Sequence, residues 1–422
     1  MSQQRGATPD PLDTVLDAAV LLQDNGQSTS TTLLAVDRLN SGLGVRSRLI
    51  PSWESLILVG DRPRVAAVTP TAINMRRVAA AMRVIDRAED GPLDLADVST
   101  GLSAAATLPP SHAGVFVLAC ATGSGALAVI FGAGDVRAVL LAAASATVGG
   151  ILRRTLGRFG VGVLIQAFVA AVVAGLVGAA AVHLDLGAAA GVVALCPAMI
   201  LVPGPHVLNG ALDLLSLRTS LGMARIGFAA MVLVSIALGL VVGLHAGGQA
   251  LPVTGTTAAV PLHFDVLAAA VAAASYSIYF SMPYRMIGWP VLAGMAAHGV
   301  HWWALSVVGT SLATAALLAC LLVGILLVPL SHVLRMPFAA IGFAAVVSLV
   351  PGMFVFRMLS GVMQLPGNAS AQVLTATASD GAVAVTVTAA MAIGLVVPMR
   401  LRDTLIQANT TSPRPTNQGS RR

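Results

Sequence analysis

The chain has 422 residues, 56% of them hydrophobic and only 10% charged, with a mean hydropathy of +0.86. A soluble surface carries about 25% charged residues, so lipid must be the solvent for most of this chain. The net charge of +6 comes from 24 arginines and no lysine against 18 acids, and the arginines form no nucleic-acid-binding patch.

The first twenty residues hold no apolar signal-peptide core, which predicts an N-terminus that stays in the cytoplasm. Residues 1–112 carry 12 of the 18 acids and 10 of the 24 arginines and read as a small soluble α/β N-terminal domain. Apolar residues recur at helical spacing over Leu12–Leu22 and Thr31–Leu39. Strands are expected at Val45–Ile50, Ser55–Val59 and Val65–Val68. A further helix, Thr71–Asp86, carries an Ile73/Met75/Val78/Met82/Ile85 stripe, and Pro109-Pro110 closes the domain.

From residue 113 apolar spans alternate with short polar breaks. The spans fall at 113–133, 136–153, 161–183, 188–202, 226–246, 262–282, 287–308, 310–330, 337–350 and 380–398. Most approach the ~20 residues that cross a bilayer. With residues 1–112 inside, the inner loops receive Arg153, Arg154, Arg158, Arg218, Arg225, Arg285, Arg335, Arg400 and Arg402, and the outer loops only Arg137 and Arg357. That asymmetry predicts a multi-pass protein of the plasma or inner membrane with both termini cytoplasmic. Residues 403–422 are polar and read as a disordered tail. Cys120, Cys196 and Cys320 lie in separate apolar runs and suggest buried thiols, not a disulfide framework.

Leu-Val-Pro-Gly occurs at Leu201–Gly204 and again at Leu349–Gly352, 148 residues later. Sliding the first five spans by that offset lands them on the second five. The fold expected is therefore a polytopic α-helical membrane protein with ten transmembrane helices in two inverted five-helix repeats, 113–246 and 262–398. Odd repeats must lie inverted. Each Leu-Val-Pro-Gly ends a short span and precedes a second helical stretch, His206–Leu217 or Met353–Leu365. Proline removes an amide donor and glycine frees the backbone, so each helix should break there, at membrane depth or at a surface turn. Paired broken helices in matching halves point to a transport site.

The polar residues near the breaks are the candidate binding groups: Pro203, Gly204, His206, Asn209 and Asp213 after the first, Pro351, Gly352 and Arg357 after the second. His206, Asn209 and Asp213 share one helical face, and Arg357 matches Asn209 at the 148-residue offset. An acid and a base from opposite repeats would suit a zwitterionic amino acid. The plainer alternatives are an Asp213–Arg218 pair at the inner surface and a snorkelling Arg357. His298 and His301, mid-span, are candidates with Asp213 for proton coupling or for helix packing. No third ligand follows His298-x-x-His301, so neither a metal nor a cofactor is expected.

The segment Pro203-Gly204-Pro205-His206-Val207-Leu208-Asn209-Gly210-Ala211-Leu212-Asp213-Leu214 resembles the Pro-Gly…Asn…Asp segment of the bacterial threonine/serine exporter family. Arg335-Met336-Pro337 followed by Leu349-Val350-Pro351-Gly352 resembles the matching segment of that family's second half. The plan of a cytoplasmic domain followed by five plus five spans is similar over residues 12–400. The chain departs from the family pattern at Gly26–Thr32, which has no acid where relatives carry a Gly-Ala-Glu-like turn. The resemblance implies a secondary transporter exporting threonine and serine under the proton motive force. A succinate-like dicarboxylate is the alternative substrate, and a membrane-embedded enzyme or a sensor the alternative class. No P-loop or catalytic motif is present, so no enzyme is expected. The expected partners are the lipid bilayer and a small solute, with self-association allowed.

Overall fold

The computed structural model describes residues 10–187, 189–249, 260–333, 338–367 and 370–411. The N-terminal layer runs α1 (Pro11–Asp24), α2 (Thr29–Leu43), β1 (Arg48–Pro51), β2 (Ser55–Val59), β3 (Arg64–Ala67), α3 (Met75–Ile85) and α4 (Leu95–Ala106). Asp10 caps α1, with proline at the first helical position, and Ser28 caps α2, which ends on Gly44 in the left-handed region. The strands form an antiparallel sheet in the order β1-β2-β3, with Leu49 opposite Leu58 and Leu56 opposite Ala66. Leu56 and Leu58 of β2, which packs against α1, and Leu49 of β1, which packs against α2, are buried. The expected α3 stripe is the buried face, but the helix starts only at Met75, where Asn74 accepts from the Arg77 amide. Sequence patterning gave no sign of α4, a short helix capped by Asp94.

Seven later helices are long and apolar enough to cross a membrane: α5 (Ala113–Ile130), α6 (Val136–Arg158), α7 (Val163–His183), α10 (Thr219–Ala246), α11 (Leu262–Tyr279), α13 (Leu312–Val333) and α16 (Ala371–Thr411). Two bent pairs bring the spans among the described residues up to nine if each pair is one span. The first is α8 (Ala189–Met199) with α9 (Gly204–Leu215), bent by 68°. In the second, Ile341–Leu349, which contains most of α14 (Phe338–Val346), meets α15 (Gly352–Gln364) at 51°. The remaining helix, α12 (Gly288–Trp303), is 16 residues long and runs on through a wider turn, Ala304–Val308, to Gly309 at φ 76°. The protein is thus a polytopic membrane protein. Large apolar side chains such as Leu118, Leu140, Leu267 and Val385 remain more than half exposed on the outer faces of these helices, where lipid would cover them.

Small residues set the packing within this region. A Cβ on Gly243 would lie 2.2 Å from the Val172 carbonyl oxygen, and one on Gly175 2.5 Å from that of Leu240. Helices α7 and α10 therefore meet backbone to backbone, the close approach on which membrane helices rely. Packing recurs in the two stretches: α5–α6, α6–α8, α7–α8, α9–α10 and α7–α10 are matched by α11–α12, α12–α14, α13–α14, α15–α16 and α13–α16. One continuous apolar core runs from the N-terminal layer into the membrane helices. Helix α16 extends to Thr411, so the expected tail begins as helix; residues 412–422, like Arg335, Met336 and Pro337, lie outside the described residues.

Candidate functional site

Both Leu-Val-Pro-Gly elements break their helices, and the breaks touch. A Cβ on Gly204 would meet Val347 Cγ2 at 2.8 Å, and one on Gly352 would meet Met199 Cε at 3.3 Å. At the first break the Met199 carbonyl accepts from the Val202 amide and from Tyr276 Oη of α11, each at 3.2 Å. The amides after the first break are largely spent: Gly204 donates to the Val202 carbonyl, Pro205 has none, and those of His206 and Val207 turn back onto the Pro203 carbonyl. What that break offers is a helix dipole and open carbonyls more than free donors.

Beside the first break lies a cavity of about 650 Å³, walled by the N-terminal layer, α6, α7, α10, α11 and the break itself. Its charged lining is Arg153, Arg154 and Arg158, joined by polar groups such as Ser111, Gln166, His206 and Tyr279, and it contains no acid. Arg153 donates to Tyr279 Oη and lies 5.4 Å from that ring; Arg154 donates to the Ser111 carbonyl at 2.9 Å and stacks 4.1 Å from Phe116. The buried Nε atoms of both arginines, and Nδ1 of His206, have no hydrogen-bond partner. The two arginine Nε–H donors are costly to leave without partners, which makes their wall ready for an acceptor, whereas His206 Nδ1, with Nε2–H given to the Pro70 carbonyl, is itself an acceptor.

The polar face of α9 meets the N-terminal layer. His206 Nε2 is 2.8 Å from the Pro70 carbonyl, with its ring against Phe228 and Trp53. Asn209 donates to the Gly26 carbonyl at 3.3 Å. Asp213 accepts from Thr29 Oγ1 at 2.9 Å and forms ion pairs with Arg225 (3.0 Å) and Arg218 (3.3 Å), while Arg218 also donates to Ser30 Oγ. A cavity of about 50 Å³ remains between Ser28–Ser30, Asn209, Asp213 and α16, room for a few waters. The loop that presents Pro70 is tied to α1 by the Thr69 amide donating to Asp24 at 2.6 Å. Burial holds the Asp24 carboxyl above its usual range, against the pull of that amide.

The opposed acid and base expected from the two repeats each find a partner at home. Arg357 Nε pairs with Asp380 of α16 at 3.0 Å, and its guanidinium lies 5.9 Å from the Phe354 ring. Pro203 and His206 line the large cavity; Asn209 and Asp213 line the small one; Pro351, Gly352 and Arg357 line neither. His298 is buried between Asp265 and Ser348, and the His301 ring centroid is 6.3 Å from its own. Arg225, counted in the sequence as a loop arginine, is buried within α10.

A family described as "Putative threonine/serine exporter" matches residues 13–246, more than half of the chain. A second, "Threonine/Serine exporter, ThrE", matches residues 265–401. The chain belongs to the threonine/serine exporter family. No curated protein and no solved structure matches it. The two matches divide this exporter-family chain close to where the 148-residue repeat does.

Sequence reading passed over Thr29, Arg153, Arg225, Asp265, Ser348 and Asp380. Asp265 and Asp380 were within its reach, because acids in apolar spans mark function by the same rule that singled out His298. Thr29 and Pro70 carried no signal: their partners lie 184 and 136 residues away.

Proposed function

We propose that this protein is a secondary transporter that exports threonine and serine from the cytoplasm, driven by the proton motive force. The observation that carries the reading is the meeting of two Pro-Gly-broken helices beside a cavity of about 650 Å³, within the size range of small-molecule sites. The reading takes α12 as a tenth span and 113–246 and 262–398 as inverted halves, supported by their matching packing. The N-terminal layer, 1–112, then lies in the cytoplasm, and the cavity beside it is open to the inside.

In this arrangement an amino acid enters from the cytoplasm and places its carboxylate on Arg153 and Arg154, whose unpaired Nε donors are suited to a planar acceptor. Its ammonium turns to the first break, where among the described residues nothing donates to the Leu201 carbonyl. Pro203, Gly204 and His206 shape this end, and Pro351, Gly352 and Arg357 belong to the counterpart half. Asn209 and Asp213 act one layer back, holding α9 to the N-terminal layer.

One observation favours a second substrate. The cavity has three arginines, Arg153, Arg154 and Arg158, and no acid, which would also suit a dicarboxylate. Counterflow in proteoliposomes, with labelled threonine, serine and succinate compared side by side, tests both. Exchange of threonine and serine is expected; exchange of succinate alone would replace the first reading with the second.

A further inference from the structure

His206 has two ring nitrogens, and the fold uses one of them. Nε2 is 2.8 Å from the Pro70 carbonyl, which can only accept, so Nε2 carries the proton. The neutral ring then presents Nδ1 as an acceptor. His206 is 4% exposed and lines the large cavity, and its Nδ1 has no hydrogen-bond partner. The first turn of a helix ordinarily offers spare amides to such an atom, but here they are spent. Pro205 has no N–H, Gly204 donates to the Val202 carbonyl, and the His206 and Val207 amides donate to that of Pro203.

The repeat shows what packing alone requires at this place. At 148 residues further on stands Phe354, after Pro351-Gly352-Met353. Each break is followed by an aromatic ring, and the second manages without a nitrogen. In the first, Nε2 holds the N-terminal layer and Nδ1 holds nothing. Pro203, Pro205, Phe228 and Val232 share the cavity wall with His206, and all four are apolar. An ammonium set against Nδ1 would satisfy one of its three N–H donors there and bury the others on apolar surface. A hydroxyl has a single proton to give, and a methyl group beside it suits the same surface.

We propose that His206 Nδ1 accepts a hydrogen bond from the side-chain hydroxyl of the substrate, and so selects hydroxy amino acids over the same skeletons without the oxygen. The assignment rests on the threonine and serine export reading above and adds to it the group that reads the side chain. In that reading the carboxylate goes to Arg153 and Arg154 and the ammonium to the Leu201 carbonyl. Every amino acid carries those two groups, so neither contact tells threonine from 2-aminobutyrate. Nδ1 does. Threonine or serine gives the orphan acceptor a donor, whereas 2-aminobutyrate or alanine leaves it unpartnered, as it is in the empty cavity. A site built to bond a hydroxyl rejects the analogue that lacks it more strongly than an apolar pocket rejects a missing methylene. The Pro70 carbonyl is part of the device, because it fixes the tautomer in which Nδ1 accepts.

Competition against labelled-threonine counterflow, with the full-length protein in proteoliposomes, reads the selection as a ratio: the half-inhibiting concentration of 2-aminobutyrate over that of threonine. Wild type should give about ten or more. His206→Gln and His206→Asn then separate the two tasks of the ring. Glutamine puts its amide nitrogen near the place of Nε2 and no atom at that of Nδ1, so the ratio should fall about fivefold or more. Asparagine puts its carbonyl oxygen near the place of Nδ1, so the ratio should stay within about twofold of wild type while the melting temperature drops with the lost Pro70 contact. A wild-type ratio close to one overturns the assignment, and so does a ratio that collapses in His206→Asn. A ratio that survives in His206→Gln overturns it as well, even where both solutes bind more weakly, since Nδ1 would then meet the shared ammonium. Should His206→Gln fail to insert or fold, His206→Leu, which fills the place with no polar atom, carries the same expectation. A protein that exchanges succinate and not threonine ends the threonine reading, and the hydroxyl site with it.

Discussion

Asp213 offers the sharpest test of how the N-terminal layer is held. Its carboxylate and the Arg225 guanidinium are 3% and 1% exposed, so the pair is shielded from water and salt. Asp213→Asn keeps the shape and can still accept from Thr29, but it leaves Arg225 buried without its counter-charge. Removing one partner of a buried pair costs about 3–5 kcal/mol. The second pair is weaker: Arg218 is 28% exposed and 3.3 Å away, so Arg218→Gln should cost about 1 kcal/mol or less. Thermal unfolding of the purified protein should therefore rank Asp213→Asn well below Arg218→Gln, with the latter close to wild type. Adding Arg225→Met to Asp213→Asn removes the stranded charge and should recover most of the loss, since the two sites couple directly. Equal, mild effects of Asp213→Asn and Arg218→Gln would refute the buried clasp. So would a variant Asp213→Asn that melts like wild type yet no longer exchanges threonine, which would move Asp213 into the substrate site.

Two further outcomes are expected. Asp380→Asn, which removes the carboxylate paired with the partly exposed Arg357, should lower stability by about 1–3 kcal/mol while leaving threonine exchange per folded molecule within twofold; lost exchange at unchanged melting temperature would return Arg357 to the binding site. A reporter active only outside the cytoplasm should give signal when inserted at residue 255 and none at residue 405, and the reverse pattern would sink the ten-span arrangement.

The sequence announced the breaks because proline and glycine act locally, through a lost amide and a missing Cβ. It announced β2 to the residue and the buried stripe of α3 for the same reason, since period and burial are written along one segment. It did not announce α4, whose run of Leu95, Val98, Leu102 and Ala105 is too sparse to stand out. Charge partners were the least legible feature. Arg225 was read by its place in the chain as a loop arginine, and Arg357 as an outer-loop arginine or a binding group, whereas the fold supplies each with a buried acid. Positive-inside counting treats every arginine near a span end as solvated, which fails wherever an acid from another helix waits for it. The asymmetry of the remaining arginines does not depend on those two.

The face of α9 was read as a ligand-binding stripe because His206, Asn209 and Asp213 recur at i, i+3 and i+7 beside a helix break. The stripe is real, and its partners belong to the protein. His206 contacts the Pro70 carbonyl, Asn209 donates to the Gly26 carbonyl, and Asp213 accepts from Thr29. Polar periodicity on a short helix tells which side is engaged and cannot tell a solute from a neighbouring domain, since both present the same donors and acceptors. The distinction has a mechanical consequence. Three successive turns of α9 are fastened to the turn between α1 and α2 and to the loop before α3, so the helix after the first break cannot tilt without carrying the N-terminal layer or releasing it. The same turn, Gly26–Thr32, is where the chain departs from the family's acidic pattern. An acid placed there would face Asp213, and its absence leaves Thr29 and Ser30 as neutral partners that an Asp213–Arg225–Arg218 cluster can accommodate.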